Sequence, residues 1–591
     1  MPSYTAPVDD MLFLFEKLRD NKNYNDLKKY DEVSLDLVKD ILEEAAKINQ
    51  NLILPLAKIG DENPAVLENG VVRTPPGYKE AYQKYIEDGW TSLSCDPKYG
   101  GQGMPKTVSG FFDEMLSSAS LSFKLYSELS IGAYNCINHH APEKIKEKYL
   151  PKIVEGKWSG TMCLTEPVCG TDLGLLKTKA IEQSDGTFKI SGQKIFITWG
   201  EHELSENIIH LVLARLPDAP EGVKGISLFL VPKFHVNKDG TLGERNDVKA
   251  ISLEHKLGIH GCATCVMSFE DATGYLVGNP NEGLACMFTM MNDARIGVAC
   301  ESVAIAERAY QQALSYAKER VQGTVHSESK RVTIIHHPDV RRMLLTMRSQ
   351  IEVMRALVYV ATAEMDLSDL SETDKKLSHK IKADLLTPIT KGWCSEICQE
   401  ITSLGIQIHG GMGYVEETGA AQHYRDSRIT TIYEGTTAIQ ANDLIGRKFI
   451  KDKGQGLLAL ISEIKNSVDD FDLIDDDLET ASQELHNQIE RTENIITFIL
   501  SEEKHREYLS GAVSFYFLMM LGTLIGGWLA VRSIEISLKA LQSDSIDSDF
   551  YEAKLISSKF FVLSILPKVN FYADSIEKGA DLVMEMKEEL F

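Results

Sequence analysis

An α+β fold follows from the order in which two hydrophobic periodicities alternate along the 591 residues. Apolar residues first recur at helical spacing, then gather in short β-branched runs broken by glycine, then return to helical spacing. A chain of this length exceeds the roughly 250–300 residues at which a single core stops growing, so the changes of period mark separate packed units.

The first helical stretch, residues 34–158, shows Leu35, Leu37, Val38, Ile41 and Leu42, and later Phe111, Phe112, Met115 and Leu116, at helical intervals. It is interrupted by Tyr99-Gly100-Gly101-Gln102-Gly103-Met104-Pro105, a glycine-rich turn between helices. In residues 159–271 the pattern becomes Lys189-Ile190-Ser191-Gly192, Ile208-Ile209-His210-Leu211-Val212-Leu213 and Ile226-Ser227-Leu228-Phe229-Leu230-Val231, which is strand and hairpin chemistry. Helical periodicity resumes in residues 272–451, with long helices over 295–320 and 338–365. Residues 452–477 are acidic and poor in strong structure, and further helices follow, so 452–591 reads as an appended helical unit. Residues 1–33 form a helical extension in front.

The formal net charge of −24 gives no bulk footprint for nucleic acid or an anionic membrane. Any anionic ligand needs a local basic site. Ten cysteines form no compact framework, and Cys262 with Cys265 make a lone C-x-x-C without a second pair, so the thiols read as reduced and buried, with no metal site. The start, Met1-Pro2-Ser3-Tyr4, lacks both a basic region before an apolar stretch and an Arg-rich transit character, which predicts a cytoplasmic protein.

Residues 509–531 carry no charge and reach the roughly 20 residues that span a bilayer. Gly522, Gly526 and Gly527 suit close helix approach in a membrane and equally a tightly packed helix inside a bundle. The stretch stands alone, and Asp475-Asp476-Asp477 and the acidic residues 544–549 flank it, which favours the buried helix over membrane contact.

Familiar nucleotide fingerprints fail. Gly411-Met412-Gly413-Tyr414-Val415-Glu416 lacks the third glycine of G-x-G-x-x-G, and no G-x-x-x-x-G-K-[ST] occurs. Ile408-His409-Gly410-Gly411 is a faint oxyanion-loop match, but no G-x-S-x-G supplies a nucleophile.

Three separated segments taken together resemble the acyl-CoA dehydrogenase family. They are Met162-Cys163-Leu164-Thr165-Glu166-Pro167-Val168-Cys169-Gly170-Thr171-Asp172, then Lys194-Ile195-Phe196-Ile197-Thr198-Trp199-Gly200, then residues 407–440 with Ile432-Tyr433-Glu434-Gly435-Thr436-Thr437. The resemblance spans about residues 34–451 and implies a helical N-terminal domain, a β-barrel-like middle domain and a C-terminal four-helix bundle. Residues 1–33 and 452–591 are additions to that plan, similar to those of the larger members that handle 3-methylthiopropanoyl-CoA.

The resemblance implies FAD and assigns residues around it. Leu164, Thr165, Gly170 and Thr171 would form the flavin loop, although Val168-Cys169 replaces the family's glycine-alanine pair. Phe196 would stack on the flavin and Thr198 hydrogen-bond it, since residues two apart on a strand share a face; Trp199 would face the other side. Arg320, Gln407 and Gly411 would reach the far end of FAD from a neighbouring subunit, which implies a homodimer. Thr436 and Ala438 would contact FAD.

Glu434 is the implied catalytic base, set in a polar break between helical runs. Ala294 occupies the alternative family position for a base and cannot serve, leaving Asp293 as the rival. The implied reaction is α,β-dehydrogenation of an acyl-CoA to trans-2-enoyl-CoA: Glu434 removes the α-proton, the β-hydrogen leaves as hydride, and the Glu434 amide and a ribityl hydroxyl hold the thioester oxygen. Arg295 and Tyr433 would contact substrate, and an electron-transfer flavoprotein would accept the electrons. The extensions point to a short acyl chain, best 3-methylthiopropanoyl-CoA giving 3-methylthioacryloyl-CoA. A short- or medium-chain enzyme of general β-oxidation is the first alternative. A flavoprotein of the DNA-damage-response branch is a second, disfavoured by the net charge of −24 and by the intact Tyr433-Glu434-Gly435.

Overall fold

A computed structural model describes residues 4–591 apart from 20, 25–26, 326–329, 470, 472–474, 504–506 and 544–547. Met1-Pro2-Ser3 and part of the acidic flank after residue 531 therefore lie outside the described residues. The chain divides into two compact units, one of Glu44–Gly297 and one of Met1–Glu43 with Val298–Phe591.

In the first unit the helices Leu54–Glu62, Tyr78–Glu87, Lys106–His140 and Glu143–Val154 precede the sheet. The loop at residues 99–105 joins two helical segments as its glycines predict, and Gly101 is obligatory there, because a Cβ would sit 2.1 Å from the Cys95 carbonyl oxygen. A small hairpin, Val66–Glu68 with Val71–Arg73, interrupts the helical stretch where Asn69 and Gly70 both take positive φ. The 35-residue helix Lys106–His140 kinks at Ser120 (φ −160°, ψ 102°), within a run of buried serines of which Ser117 donates its hydroxyl to the Asp113 carbonyl at 2.7 Å.

Seven strands form the main sheet. Thr264–Val277 pairs with Phe188–Thr198 on one side and Ile226–Pro232 on the other, and Asn207–Arg215 links Ile226–Pro232 to Lys179–Glu182, which returns to Phe188–Thr198. Those five strands close into a barrel. Every residue of Ile226–Pro232 is buried, as expected of a strand covered on both faces. Helix and barrel are tied together: Trp199 donates from Nε1 to the Ser122 carbonyl at 3.3 Å, just past the kink.

The second unit is helical. Val298 onward in the helix Gly283–Glu319 joins Pro338–Leu370, Thr373–His409 and Thr437–Asn442, the last continuing through Ile450, and the appended helices Gln455–Asp469, Asp476–Glu502, Leu509–Gln542, Ser548–Phe560 and Lys568–Gly579 follow. Residues 452–477 thus hold a regular helix that their acidity hides. Leu457, Leu460, Ile461, Ile464 and Val468 are buried along one face of it.

Leu509–Gln542 is the hub of the appended helices and mostly buried inside protein. A Cβ on Gly522 would come 2.3 Å from Trp393, one on Gly526 2.7 Å from Val353, and one on Gly527 2.6 Å from Leu566. These glycines serve contact between helices of the unit, which accounts for the apolar composition without a bilayer. The N-terminal extension joins the same unit through buried charge: Asp10 accepts from Arg355 at 2.6 Å and from Lys554, while Arg355 also pairs with Glu307 at 2.6 Å. All ten cysteines are buried, and none forms a disulfide.

Candidate active site

The first group of predicted site residues lies on the barrel. Its strand Phe188–Thr198 carries an extra residue between Lys194 and Ile197, opposite the two-residue step from Met267 to Cys265, and this bulge pushes Phe196 outward with φ +59°. Phe196 is 59% exposed, Ile197 buried and Thr198 half-buried, so Phe196 and Thr198 share the outer face while Trp199 is buried.

The loop after Trp158–Cys163 is fastened beside this bulge. Ile195 N–H donates to the Thr165 carbonyl at 2.9 Å and the Lys194 ammonium to the Leu164 carbonyl at 3.0 Å. Leu164 and Thr165 are half-buried, and Gly170 and Thr171 exposed. An aromatic ring displayed on a bulge next to hydroxyls and a small-residue loop is a surface that a flat heteroaromatic ring would cover, so these residues fit a flavin.

Beneath the loop is a buried ion pair that the sequence motifs did not single out as functional. Glu166 accepts from Lys194 Nζ at 2.9 Å, Thr178 Oγ1 at 2.6 Å, Thr178 N at 3.0 Å and Lys177 N at 2.7 Å. Burial opposes ionisation of Glu166, but Lys194 and these donors outweigh it and hold the carboxyl below its ordinary range. Burial likewise pulls the Lys194 ammonium below the usual lysine value, against the attraction of Glu166. Each residue stands in a quoted motif, a charge amid uncharged neighbours, which is the signal that points to a buried partner.

The second group belongs to the helical unit. Residues 432–435 form a turn ahead of the helix Thr437–Asn442, and Glu434 is half-buried with φ +54°, followed by Gly435 at +89°. A non-glycine residue at such a φ costs about 1–3 kcal/mol and persists only where its surroundings impose it. Here they do. Tyr433 donates to the buried Glu301, the Thr436 side chain caps the following helix by accepting from Ile439 N at 3.4 Å, and Thr437 donates to Glu396 at 2.5 Å. Gln440 Nε2 reaches the Glu434 and Gly435 carbonyls at 3.1 and 3.2 Å, and Lys391 Nζ the Gly435 carbonyl at 2.7 Å. Ala438 is exposed on the first turn of the helix.

The third group shares the same unit. Tyr316 and His409 stack with ring centroids 4.6 Å apart, which brings the helix end carrying Arg320 to the last turn of the helix Thr373–His409, which carries Gln407, and to Gly411 just beyond it. Arg320, Gln407 and Gly411 are exposed, and Met412, Tyr414 and Val415 expose 49%, 87% and 41% of their surface beside them. Burial lowers the His409 imidazole below its usual value, and its Nδ1 lies 2.7 Å from the Gly405 carbonyl.

Arg295 is buried on the helix Gly283–Glu319, 3.4 Å from Asn292 Oδ1. Its neighbour Asp293 accepts from Asn135 Nδ2 at 2.7 Å, with Lys106 4.0 Å away. Ala294 is buried.

Residues 41–157 match the acyl-CoA dehydrogenase N-terminal domain, 161–272 its middle domain and 281–449 its C-terminal domain, while 460–587 match an acetyl-CoA dehydrogenase C-terminal like domain. The chain is 44% identical over 574 residues to 3-methylmercaptopropionyl-CoA dehydrogenase of Ruegeria pomeroyi, covering 95% of this chain and 96% of that protein. It is 33% identical over 620 residues to a butyryl-CoA dehydrogenase of Syntrophomonas wolfei, covering 100% and 99%. The solved structure of Caenorhabditis elegans ACDH-11 in complex with C11-CoA matches with a TM-score of 0.80 at 19% identity over 99% of this chain and 96% of that one, a likeness of fold. The family's domains are met in order along one chain, and close to full-length relatives carry the same extensions. The chain therefore belongs to the acyl-CoA dehydrogenase family and is an FAD-dependent oxidoreductase of acyl-CoA thioesters.

Proposed function

We propose that the enzyme dehydrogenates a short-chain acyl-CoA with Glu434 as base, and that 3-methylthiopropanoyl-CoA, oxidised to 3-methylthioacryloyl-CoA, is its best substrate. The substrate reading is carried by the 44% identity, over 95% of the chain, to a protein named for that same acyl group, since 3-methylmercaptopropionyl and 3-methylthiopropanoyl are one structure. The base reading is supported by the strained, anchored turn that offers the Glu434 carboxylate.

A thioester α-hydrogen is weakly acidic, so its removal needs a positioned carboxylate and a donor for the charge that develops on the carbonyl oxygen. Glu434 takes the proton onto its side-chain oxygen, and its own backbone N–H is the donor offered to the thioester oxygen. Tyr433, held by Glu301, lines the acyl site, and Arg295 positions the acyl-CoA. Bound FAD would supply the hydride acceptor for the β-hydrogen, and Leu164, Thr165, Gly170, Thr171, Phe196, Thr198, Thr436 and Ala438 would hold it.

Arg320, Gln407 and Gly411 are assigned to the FAD of a second copy, which makes the enzyme a homodimer. The exposed Met412, Tyr414 and Val415 support an interface at this turn. An electron-transfer flavoprotein as acceptor and a cytoplasmic location complete the reading, with residues 1–33, 34–158, 159–271, 272–451 and 452–591 as its functional segments. Dye-linked turnover across acyl-CoA chain lengths tests it. Butanoyl- and 3-methylthiopropanoyl-CoA should lead, separated by roughly 1–3 kcal/mol per methylene-sized difference at most. A preference for hexadecanoyl-CoA would overturn the short-chain reading and leave the family assignment standing.

A further inference from the structure

The helix Thr373–His409 carries a lysine in the otherwise uncharged run Ile389-Thr390-Lys391-Gly392-Trp393-Cys394, and Lys391 is fully buried. A buried ammonium is expensive unless its protons are taken up, and longer apolar side chains fill helix interiors at lower cost. Its Nζ donates to the Gly435 carbonyl at 2.7 Å, one peptide beyond Glu434. The second donor to that oxygen is Gln440 Nε2 at 3.2 Å, and Gln440, also fully buried, reaches back to the Glu434 carbonyl at 3.1 Å.

Both residues of the turn hold positive φ. The direction of the Gly435 carbonyl and the direction of the Glu434 side chain are consequently linked, since rotating either peptide out of this conformation swings the carboxylate. A charged donor makes a stronger bond to a carbonyl than a neutral one and does so on a rigid helix. Gly435 itself admits no side chain: a Cβ there would lie 2.8 Å from Gln440 Nε2, so lysine, glutamine and glycine form one fitted set.

We propose that Lys391, seconded by Gln440, is a positioning residue for the catalytic carboxylate, holding the turn at Glu434 and Gly435 in its strained form through the Gly435 carbonyl. The inference rests on Glu434 being the base. Lys391 touches neither substrate nor flavin in this role. Misplacement of a reacting group by about 1 Å costs on the order of a hundredfold in rate, which sets the scale of the effect.

The test uses the flavin-loaded full chain and the first-order rate of flavin bleaching on mixing with butanoyl-CoA in the absence of acceptor. Loss of folded enzyme lowers the amplitude of that signal but not its rate constant. Lys391→Met should lower the rate constant by about 10- to 100-fold, with flavin content and the affinity for crotonyl-CoA within about threefold of the native enzyme. Gln440→Leu should do the same to a smaller degree, and it decides the matter if Lys391→Met does not fold. On a Glu434→Gln background, Lys391→Met should produce no further loss. An unchanged rate constant, or equal losses with and without the Glu434 carboxylate, would overturn the proposal. Full activity of Glu434→Gln alone would instead overturn the assignment of the base.

Discussion

Replacing Lys194 by methionine should loosen the loop proposed to hold the flavin, by stranding a buried charge. The substitution keeps an unbranched side chain one atom shorter but leaves the Glu166 carboxylate, whose side chain is 4% exposed, without its cation. Removing one partner of a buried pair costs about 3–5 kcal/mol. For a unit of this size each kcal/mol lowers the melting temperature by roughly 2–4 °C, so calorimetry should show a fall of about 10 °C. The Lys194 bond to the Leu164 carbonyl disappears as well, so the variant should emerge from gel filtration with much of its flavin lost. Adding Glu166→Gln removes the stranded charge while an amide oxygen still accepts from Thr178, and more than half of the lost stability should return. A double variant no better than Lys194→Met would refute the argument, because the damage would then come from lost packing rather than from charge. The pH dependence follows in sign. The Glu166 carboxyl is lowered from its ordinary 4.5 by its partners, so its contribution is complete above that value and is lost as pH falls through the lower folded-state value. The stability gap between the native enzyme and Glu166→Gln should accordingly narrow in acid below about pH 4.5.

Glu434→Gln should keep bound flavin and acyl-CoA affinity while losing turnover by about a thousandfold or more, since the amide keeps the shape and cannot accept a proton. Asp293→Asn should keep most activity, because that carboxylate is engaged with Asn135; the reverse pattern in steady-state assays would exchange their roles. Sedimentation of the flavin-loaded enzyme should give a dimer, and Arg320→Ala should weaken flavin retention. A flavin-loaded monomer would remove Arg320, Gln407 and Gly411 from the cofactor site.

The hydrophobic periods alone determined the order of helical, sheet and helical segments, because the side-chain repeat of each element is local. The same locality concealed the helix Gln455–Asp469, whose five buried apolar residues run directly into the acidic cluster of 469–477, and the hairpin at Val66–Arg73, whose strands have only three residues each. Motif resemblance marked Glu434, the loop of residues 164–171 and Phe196, since each lies in a contiguous run. What gives those residues their geometry is not contiguous. Lys194 meets Glu166 across 28 residues, Tyr433 meets Glu301 across 132, and Lys391 meets Gly435 across 44. The apolar stretch within Leu509–Gln542 shows the same division: its composition permitted a bilayer or a protein interior, and the choice lay with the side chains of Trp393, Val353 and Leu566 that close on its glycines. A sequence thus sets which side chains can be buried and at what interval, whereas the partner of a buried charge or a missing Cβ is decided only when distant segments pack, because those energies depend on distances of a few ångströms between groups far apart in the chain.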